Sequence, residues 1–78
     1  MPRFQHGDYV KAEFKGGVTG ESERMWVVVD SGDDEEGVVL GRLDNEPLLG
    51  TSLHRGDELA VSYDKIVERR RAPSFQKQ

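Results

Sequence analysis

The sequence predicts a small all-β domain, a five-stranded and partly open SH3-like barrel with one 3-10 turn before its last strand. Three observations lead to this fold class. Short segments alternate apolar and polar residues, glycine-rich connections separate these segments, and no segment carries a strong helical signal. Closure into a barrel would also protect the edge strands that a free sheet of this size exposes.

Length and composition bound the architecture. A chain of 78 residues forms one domain, which we place at 1–70, followed by a flexible basic tail at 71–78. Hydrophobic residues make up 35% of the chain and charged residues 33%, so the core must be thin. Cysteine is absent, which excludes disulfides and favours a cytoplasmic location. No apolar run reaches the roughly 20 residues of a membrane-spanning helix, so no membrane partner is expected.

The first strand is predicted at 9–14, where Val10, Ala12 and Phe14 share one face. The Gly-Asp pair that precedes it supplies a turn. A second Gly-Asp pair precedes the strand predicted at 58–63. We interpret both pairs as a common way to start a strand after a loop.

The second strand is predicted at 24–30, after a glycine-rich loop at 15–22. Its continuous apolar run is typical of a central strand that is covered on both faces or changes face. Alternation places its side chains on two faces, with Met25, Val27 and Val29 on one and Trp26 and Val28 on the other. The lone tryptophan of so small a domain is expected to fill the core. If its face is open to solvent instead, Trp26 marks a binding surface.

The return strand is predicted at 37–43, after an acidic hairpin connection at 31–36. Gly41 lies in the middle of this strand, where glycine weakens pairing unless it serves a bulge or a close approach. It could equally leave room for the indole of Trp26 on the neighbouring strand.

The long connection at 44–57 is too apolar to be fully solvated. Asn45 and Pro47 predict a turn or a strand end, because proline cannot donate to a ladder. The leucines that we expect to fold back over one end of the core are Leu48, Leu49 and Leu53.

The C-terminal part of the domain begins with an alternating strand at 58–63. The segment 64–70 is predicted to form a 3-10 turn at "YDKI" and a short last strand. A short helix with Asp64 as its N-cap is the competing interpretation.

No arrangement of side chains in the sequence predicts catalysis or metal binding. His6 and His54 each lie beside a glycine turn, without the spacing of a paired metal site. The acidic segment 30–36 has glycine at its third position, whereas an EF-hand loop needs it at the sixth. We therefore expect no enzyme, no catalytic or metal-ligating residue and no cofactor.

Three motifs, "RMWVVV", "GRLDNEP" and "RGDELAVSYDKI", occur in an order and spacing that resemble the DUF2314 family of uncharacterised small bacterial domains. The resemblance covers about residues 7–67. The matching positions are Met25, Trp26, Val27, Gly41, Leu43, Asn45, Pro47, Gly56, Asp57 and Ile66. The family pattern ends in acidic and aromatic residues, whereas this chain continues with "VERRRAP". The resemblance implies a small bacterial β domain and no particular reaction.

The first functional hypothesis is a non-catalytic module that binds a protein or peptide partner. Its motivation is the lone tryptophan beside a long apolar connection, in a chain without a catalytic constellation. The predicted partner-binding residues are Trp26, Asn45, Pro47, Leu48 and Leu49. We expect such a module to be a monomer.

The alternative hypothesis is a small barrel that binds single-stranded nucleic acid through aromatic and basic residues on one strand face. The residues that would form this face are Tyr9, Lys11, Arg24, Arg42 and Arg69–Arg71. The formal net charge of −4 disfavours this hypothesis, because nucleic-acid-binding domains are usually basic.

Overall fold

The computed structural model describes residues 3–15, 20–47 and 53–71. The predictions for Leu48 and Leu49, for the middle of the loop at 15–22 and for the tail beyond residue 71 lie outside the described residues. The elements are β1 Tyr9–Lys15, β2 Ser22–Asp33, β3 Val38–Leu43, β4 Glu58–Ser62, the 3-10 turn Tyr63–Lys65, and β5 Ile66–Arg70. Across the described ranges, no helix is long and apolar enough to cross a membrane.

The strands form a single antiparallel sheet in the order β4-β3-β2-β1-β5. Each edge strand pairs with one neighbour only, β4 with β3 and β5 with β1, so the sheet is not closed. The predicted all-β, partly open domain is confirmed. The 3-10 turn before the last strand is also confirmed, and the competing helix starting at Asp64 is wrong.

Strand β2 lies at the centre of the sheet and alternates between its two faces from Met25 to Val29. Met25, Val27 and Val29 are fully buried, whereas Trp26 and Val28 between them are only half-buried. The predicted division of the strand into two faces is confirmed. Among the described residues the core occupies one face of the sheet only, so covering on both faces is not observed there. The alternative prediction, a strand that changes face, is met at the β-bulge after Val29, beyond which Ser31 is exposed and Gly32 faces Phe4 of the core.

The core is a single cluster on one face of the sheet. Its buried members are Phe4, Val10, Ala12, Met25, Val27, Val29, Val39, Leu43 and Val61. Half-buried side chains pack against this cluster from the edges and connections, namely Phe14, Leu53, Leu59, Tyr63 and Ile66. The prediction that the long connection folds back over the core is therefore confirmed for Leu53.

The hairpin between β2 and β3 is tighter than the sequence predicts. Strand β2 continues through Asp33, and residues 34–37 make the turn. The Asp33 carboxylate accepts the backbone N–H groups of Glu35 and Glu36, at 3.0 and 3.2 Å. A register shift between Val29 and Ser31 marks a β-bulge. The acidic segment was predicted as a connection, but its first half extends the ladder.

Gly41 lies on the core face of β3, opposite Val29. A Cβ atom here would overlap the carbonyl oxygen of Val28 and lie 2.9 Å from Cγ1 of Val27. The glycine therefore permits a close approach of β3 to β2, as glycines in strands often do. The suggestion that it makes room for the indole of Trp26 is wrong, because the indole is on the other face.

The two Gly-Asp pairs form the same turn. The glycines, Gly7 and Gly56, both have a φ of 92°, which only glycine adopts without strain. In each turn the aspartate N–H donates to the carbonyl three residues back, and its carboxylate accepts that residue's N–H. These carboxylates belong to Asp8 and Asp57. Each turn leads directly into a strand, as the sequence predicts.

Arg3 and Phe4 of the N-terminal segment contact Asp34 of the β2–β3 hairpin and Tyr63 of the 3-10 turn, and we call these four residues the clasp. The Asp34 carboxylate accepts the backbone N–H of Arg3 at 3.1 Å and the hydroxyl of Tyr63 at 2.5 Å. The Tyr63 ring meets Phe4 edge to face, with ring centroids 4.9 Å apart. The guanidinium of Arg69 lies over the Phe4 ring and donates to the Arg3 carbonyl at 2.6 Å. This clasp covers one end of the core.

The clasp shifts two pKa values in opposite directions. The Tyr63 hydroxyl, and then the Arg3 N–H, lower the pKa of Asp34 from its ordinary 3.8. Partial burial, and then the hydrogen bond and charge of Asp34, raise the pKa of Tyr63 to about 12. Because each shift favours the form present at neutral pH, the clasp stabilises the fold between these two extremes. Its contribution is lost as the pH falls through the pKa of Asp34 or rises through that of Tyr63.

Replacement of Gly41 by alanine is expected to lower the free energy of unfolding by about 1–3 kcal/mol, because the added methyl overpacks the β2–β3 contact. Urea unfolding followed by circular dichroism measures this loss. Ser31→Ala, an exposed change on the neighbouring strand, should stay within about 0.5 kcal/mol. Equal stability of Gly41→Ala and Ser31→Ala would contradict the close approach.

Replacement of Asp34 by asparagine is expected to move the pKa of Tyr63 from about 12 toward its ordinary value of 10.0. The reason is that the variant removes the negative charge that opposes formation of tyrosinate. A tyrosinate absorbance titration, made in a Tyr9→Phe background so that one tyrosine remains, measures the midpoint. An unchanged midpoint would show that the hydroxyl and the carboxylate do not interact.

Candidate functional site

The face of the sheet opposite the core carries the candidate site. Trp26 and Val28 of β2 and Tyr9 and Lys11 of β1 are half-buried there, because the described residues place no second layer over them. The expectation that Trp26 fills the core is therefore wrong. Its strand neighbours already occupy the core face, and alternation forces the indole to the opposite face.

A groove of about 570 Å³ crosses this open face. Its lining residues are Tyr9, Lys11, Trp26, Asp44, Arg70 and Arg71. They come from three adjacent strands, β2, β1 and β5, together with the residue that follows β3, Asp44, and the residue that follows β5, Arg71. The register brings them together, since Lys11 is opposite Trp26 and Tyr9 is opposite Arg70.

Two cations lie over the Trp26 ring. The ammonium of Lys11 is 5.1 Å from the ring centroid, and the guanidinium carbon of Arg70 is 5.5 Å from it. Both distances are within the range of a cation–π attraction, which is worth about 0.5–1 kcal/mol at exposed sites. These contacts place positive charge beside the indole.

The same two cations share one carboxylate. Glu68 of β5 lies 3.6 Å from Lys11 and 3.7 Å from Arg70. The side chain of Arg70 is nevertheless 70% exposed and that of Glu68 44% exposed, so these are weak surface pairs. An incoming anion can therefore compete with Glu68 for both cations.

Asp44, the acidic member of the groove lining, is itself paired. Its carboxylate accepts from the guanidinium of Arg55 at 3.4 Å. The groove lining and the ion-pair partners of its members together carry two carboxylates, Asp44 and Glu68, and four cations, namely Lys11, Arg55, Arg70 and Arg71. The electrostatic character of the groove is therefore opposite in sign to the chain as a whole, whose net charge is −4.

Asn45 holds the backbone of the tryptophan in place. Its side-chain oxygen accepts the backbone N–H of Trp26, and the N–H of Asp44 donates to the Trp26 carbonyl at 2.8 Å. These bonds extend the β2–β3 pairing past the end of β3 at Leu43. Asn45 is thus a positioning residue for Trp26, a role that its place in a predicted turn did not reveal.

The predicted partner-binding residues are only partly brought together. Trp26 lies in the groove and Asn45 supports it from the backbone side. Pro47 is half-buried but is not part of the groove lining.

The residues of the alternative hypothesis divide in the structure. Tyr9, Lys11, Arg70 and Arg71 line the groove beside Trp26. The others do not line it: Arg24 faces Glu13 across the strands, Arg42 binds Asp30 at 3.0 Å, and Arg69 lies over Phe4. The alternation of β1 could have placed Tyr9 and Lys11 on the open face. No local sequence pattern predicts that β5 pairs with β1 in the register that places Arg70 opposite Tyr9.

The described residues contain no group of three histidine, aspartate or glutamate side chains that could hold a metal ion. His6 lies in the first Gly-Asp turn and contacts the Asp30 carbonyl at 3.3 Å. His54 starts the second turn, 3.8 Å from the Asp57 carboxylate. Both histidines thus occupy turns, as the sequence predicts.

Residues 3–71 match a family of uncharacterised proteins conserved in bacteria, DUF2314. The chain belongs to DUF2314. The resemblance predicted from three short motifs is therefore confirmed, over a longer part of the chain than those motifs span. No curated protein and no solved structure matches the chain at a significant level. The likeness to SH3 barrels in particular stays a prediction.

The DUF2314 motif positions have identifiable physical roles in this chain. Met25 and Leu43 are fully buried in the core. Gly41 allows β2 and β3 to approach, and Gly56 makes the turn before β4. Asn45 accepts the Trp26 N–H. Most of the motif thus specifies the fold, and Trp26 is its member in the groove.

Replacement of Asn45 by alanine is expected to lower the free energy of unfolding by about 1 kcal/mol, because the half-buried Trp26 N–H loses its acceptor. Urea unfolding followed by Trp26 fluorescence measures the loss. Asn45→Asp keeps an acceptor oxygen at the same position, on a carboxylate in place of the amide, and serves as the matched control, with a smaller loss. If both variants lose equal stability, the side-chain acceptor is not what the position supplies.

Proposed function

We propose that this DUF2314 domain is a non-catalytic binding module whose groove takes a short, extended, acidic segment of a partner protein. The observation that carries the proposal is the half-buried indole of Trp26 on the open face of the sheet, with Lys11 and Arg70 both over its ring. A cytoplasmic location, favoured by the lack of cysteine in the chain, belongs to the same proposal.

The chemistry of the groove supports an acidic and partly apolar ligand. Trp26 and Tyr9 offer rigid aromatic surface, the kind of side chain that dominates binding energy at interfaces. Lys11, Arg70 and Arg71 can pair with carboxylates that extend from the same segment. A volume of about 570 Å³ suits a few residues of an extended chain rather than a large folded surface.

Single-stranded nucleic acid is the second candidate, because Tyr9, Lys11, Arg70 and Arg71 line the same groove as Trp26. Two observations favour the peptide. Lys11 and Arg70 already approach the indole, so a base that stacks on it would have to displace them. The chain's net charge of −4 opposes a polyanion more than a segment with a few carboxylates.

The experiment is a titration of isotope-labelled protein with a short peptide of alternating glutamate and leucine, followed by amide and indole chemical shifts. The salt is kept low, where the Debye length is about 30 Å and weak ionic contacts remain visible. We expect the indole N–H of Trp26 and the amides of Lys11 and Arg70 to shift. A peptide with glutamine in place of glutamate should shift them far less.

Two variants of β2 separate the groove from the rest of the open face. Trp26→Ala is expected to weaken binding at least about tenfold, equivalent to about 1.4 kcal/mol. Arg24→Gln removes a cation from the same strand outside the groove and should change affinity less than about threefold. Equal effects of the two variants would mean that net charge alone attracts the peptide.

The competing ligand is tested in the same way. A mixed-sequence single-stranded oligonucleotide, titrated at the same low salt, should bind more weakly than the acidic peptide. Tighter binding of the oligonucleotide would replace the proposal by its alternative. The absence of any shift around Trp26 with either ligand would remove the groove as a binding site.

A further inference from the structure

The open sheet leaves two edges, and the two edges differ in protection. The β5 edge is rich in charge, since Glu68, Arg69 and Arg70 follow one another there. A register shift in its pairing with β1 also leaves Val67 outside the ladder. Charged residues and bulges are the usual means by which proteins keep a strand edge from pairing with another chain.

The β4 edge lacks these features. Its sequence, ELAVS, has one charged residue, Glu58. Its register with β3 runs without a shift from Val38–Ser62 to Arg42–Glu58. Among the described residues, strand β4 is therefore the edge that is available for pairing.

The hydrogen-bonding direction of β4 follows from the bonds at its two ends. The Asp57 carbonyl accepts from Leu43 at 3.0 Å, and the Tyr63 N–H donates to Gly37 at 2.7 Å. The odd-numbered positions thus bond inward to β3. Because backbone groups alternate in direction along an antiparallel strand, the positions that point outward are Glu58, Ala60 and Ser62. No backbone bond from another described residue reaches these groups.

The outward positions are complementary to themselves. A two-fold axis at Ala60 sets Ala60 of one protomer opposite Ala60 of the other, and Glu58 opposite Ser62. No like charges meet across this seam. On the neighbouring strand, Leu40 pairs with Ala60 and is 51% exposed. The symmetric arrangement would therefore join Leu40, two copies of Ala60 and the second Leu40 in one apolar row.

Antiparallel pairing of two copies about a two-fold axis is unfavourable at the β5 edge. An axis through Arg69 or Arg70 sets like charges directly opposite, which destabilises a strand pair. Arg69 is moreover held by the Arg3 carbonyl and the Phe4 ring. Self-complementarity is thus specific to β4.

We propose that two copies of the chain pair antiparallel through β4, with the two-fold axis at Ala60, into one continuous sheet. The sequence alone leads to the expectation of a monomer. Which strand lies at an edge of the sheet, and which of its backbone groups point outward, becomes known only from the strand order and register. The Trp26 groove involves β1, β2 and β5, so this seam leaves it open in both protomers. The inference does not depend on the proposed function.

The experiment is sedimentation velocity of the full chain from micromolar to millimolar concentration. We expect the mass to double with concentration. Added salt should favour the dimer, because each copy carries a net charge of −4 and the repulsion between them is screened. Peptide binding in the groove should weaken with salt, so the two proposals respond in opposite directions and can fail separately.

Charge substitutions at the axis provide the decisive comparison. Ala60→Lys and Ala60→Glu each set like charges opposite themselves and should raise the dissociation constant at least tenfold. An equimolar mixture of the two variants should dimerise again, because unlike charges then meet. Circular dichroism and Trp26 fluorescence verify that both variants fold. Val67→Lys, an exposed change on β5, should leave dimerisation unchanged.

Several results would overturn the inference. These are a wild-type chain that stays monomeric at millimolar concentration, an Ala60→Lys variant that still dimerises, and a mixture of Ala60 variants that does not. Loss of the dimer on Val67→Lys would assign the seam to β5 instead.

Discussion

The alternation of strand β2 from Met25 to Val29 is the constraint on which the rest of this structure depends. β2 pairs with β1 on one side and β3 on the other, so its side chains lie at the middle of both faces of the sheet. Met25, Val27 and Val29 take one face and are fully buried there. Because successive side chains of a strand point to opposite faces, Trp26 must lie on the face opposite this core. The site is thus a consequence of how the core is built.

A domain of this composition can cover one face of its sheet well. The N-terminal clasp of Arg3, Phe4, Asp34 and Tyr63 covers part of the core face, and Leu53 adds to it. On the open face, the part of the chain that the structure describes places long cationic side chains against the aromatic ring instead of a second layer. Such side chains cover apolar surface while their charged ends stay in water. They can exchange one anionic partner for another, which a packed second layer could not do.

Local patterns were sufficient to predict most of the fold, and non-local register explains the rest. Alternation located the strands, and Gly-Asp located the turns before β1 and β4. Alternation also divided β2 into two faces, but both faces are apolar, so it could not decide which one is the core. That choice depends on pairing with β1, whose Val10 and Ala12 lie on the core face.

Local sequence patterns predict even less of the candidate site than of the fold. Trp26 was identified as one of its members, and Asn45 was predicted beside it for a different reason. The cations that lie over the indole, Lys11 and Arg70, are far apart in sequence and meet only through the β2–β1–β5 pairing. No residue spacing along the chain predicts that these two cations contact Trp26.

The central claim is that Trp26 lies on an open face among cations, and its fluorescence tests this most directly because it is the only tryptophan of the chain. The measurement compares quenching of the native protein by iodide and by caesium at low ionic strength. The account predicts substantial quenching by iodide, much weaker quenching by caesium, and loss of this difference in a Lys11→Gln, Arg70→Gln double variant. A blue-shifted emission that neither ion quenches would place the indole in a core and contradict the account.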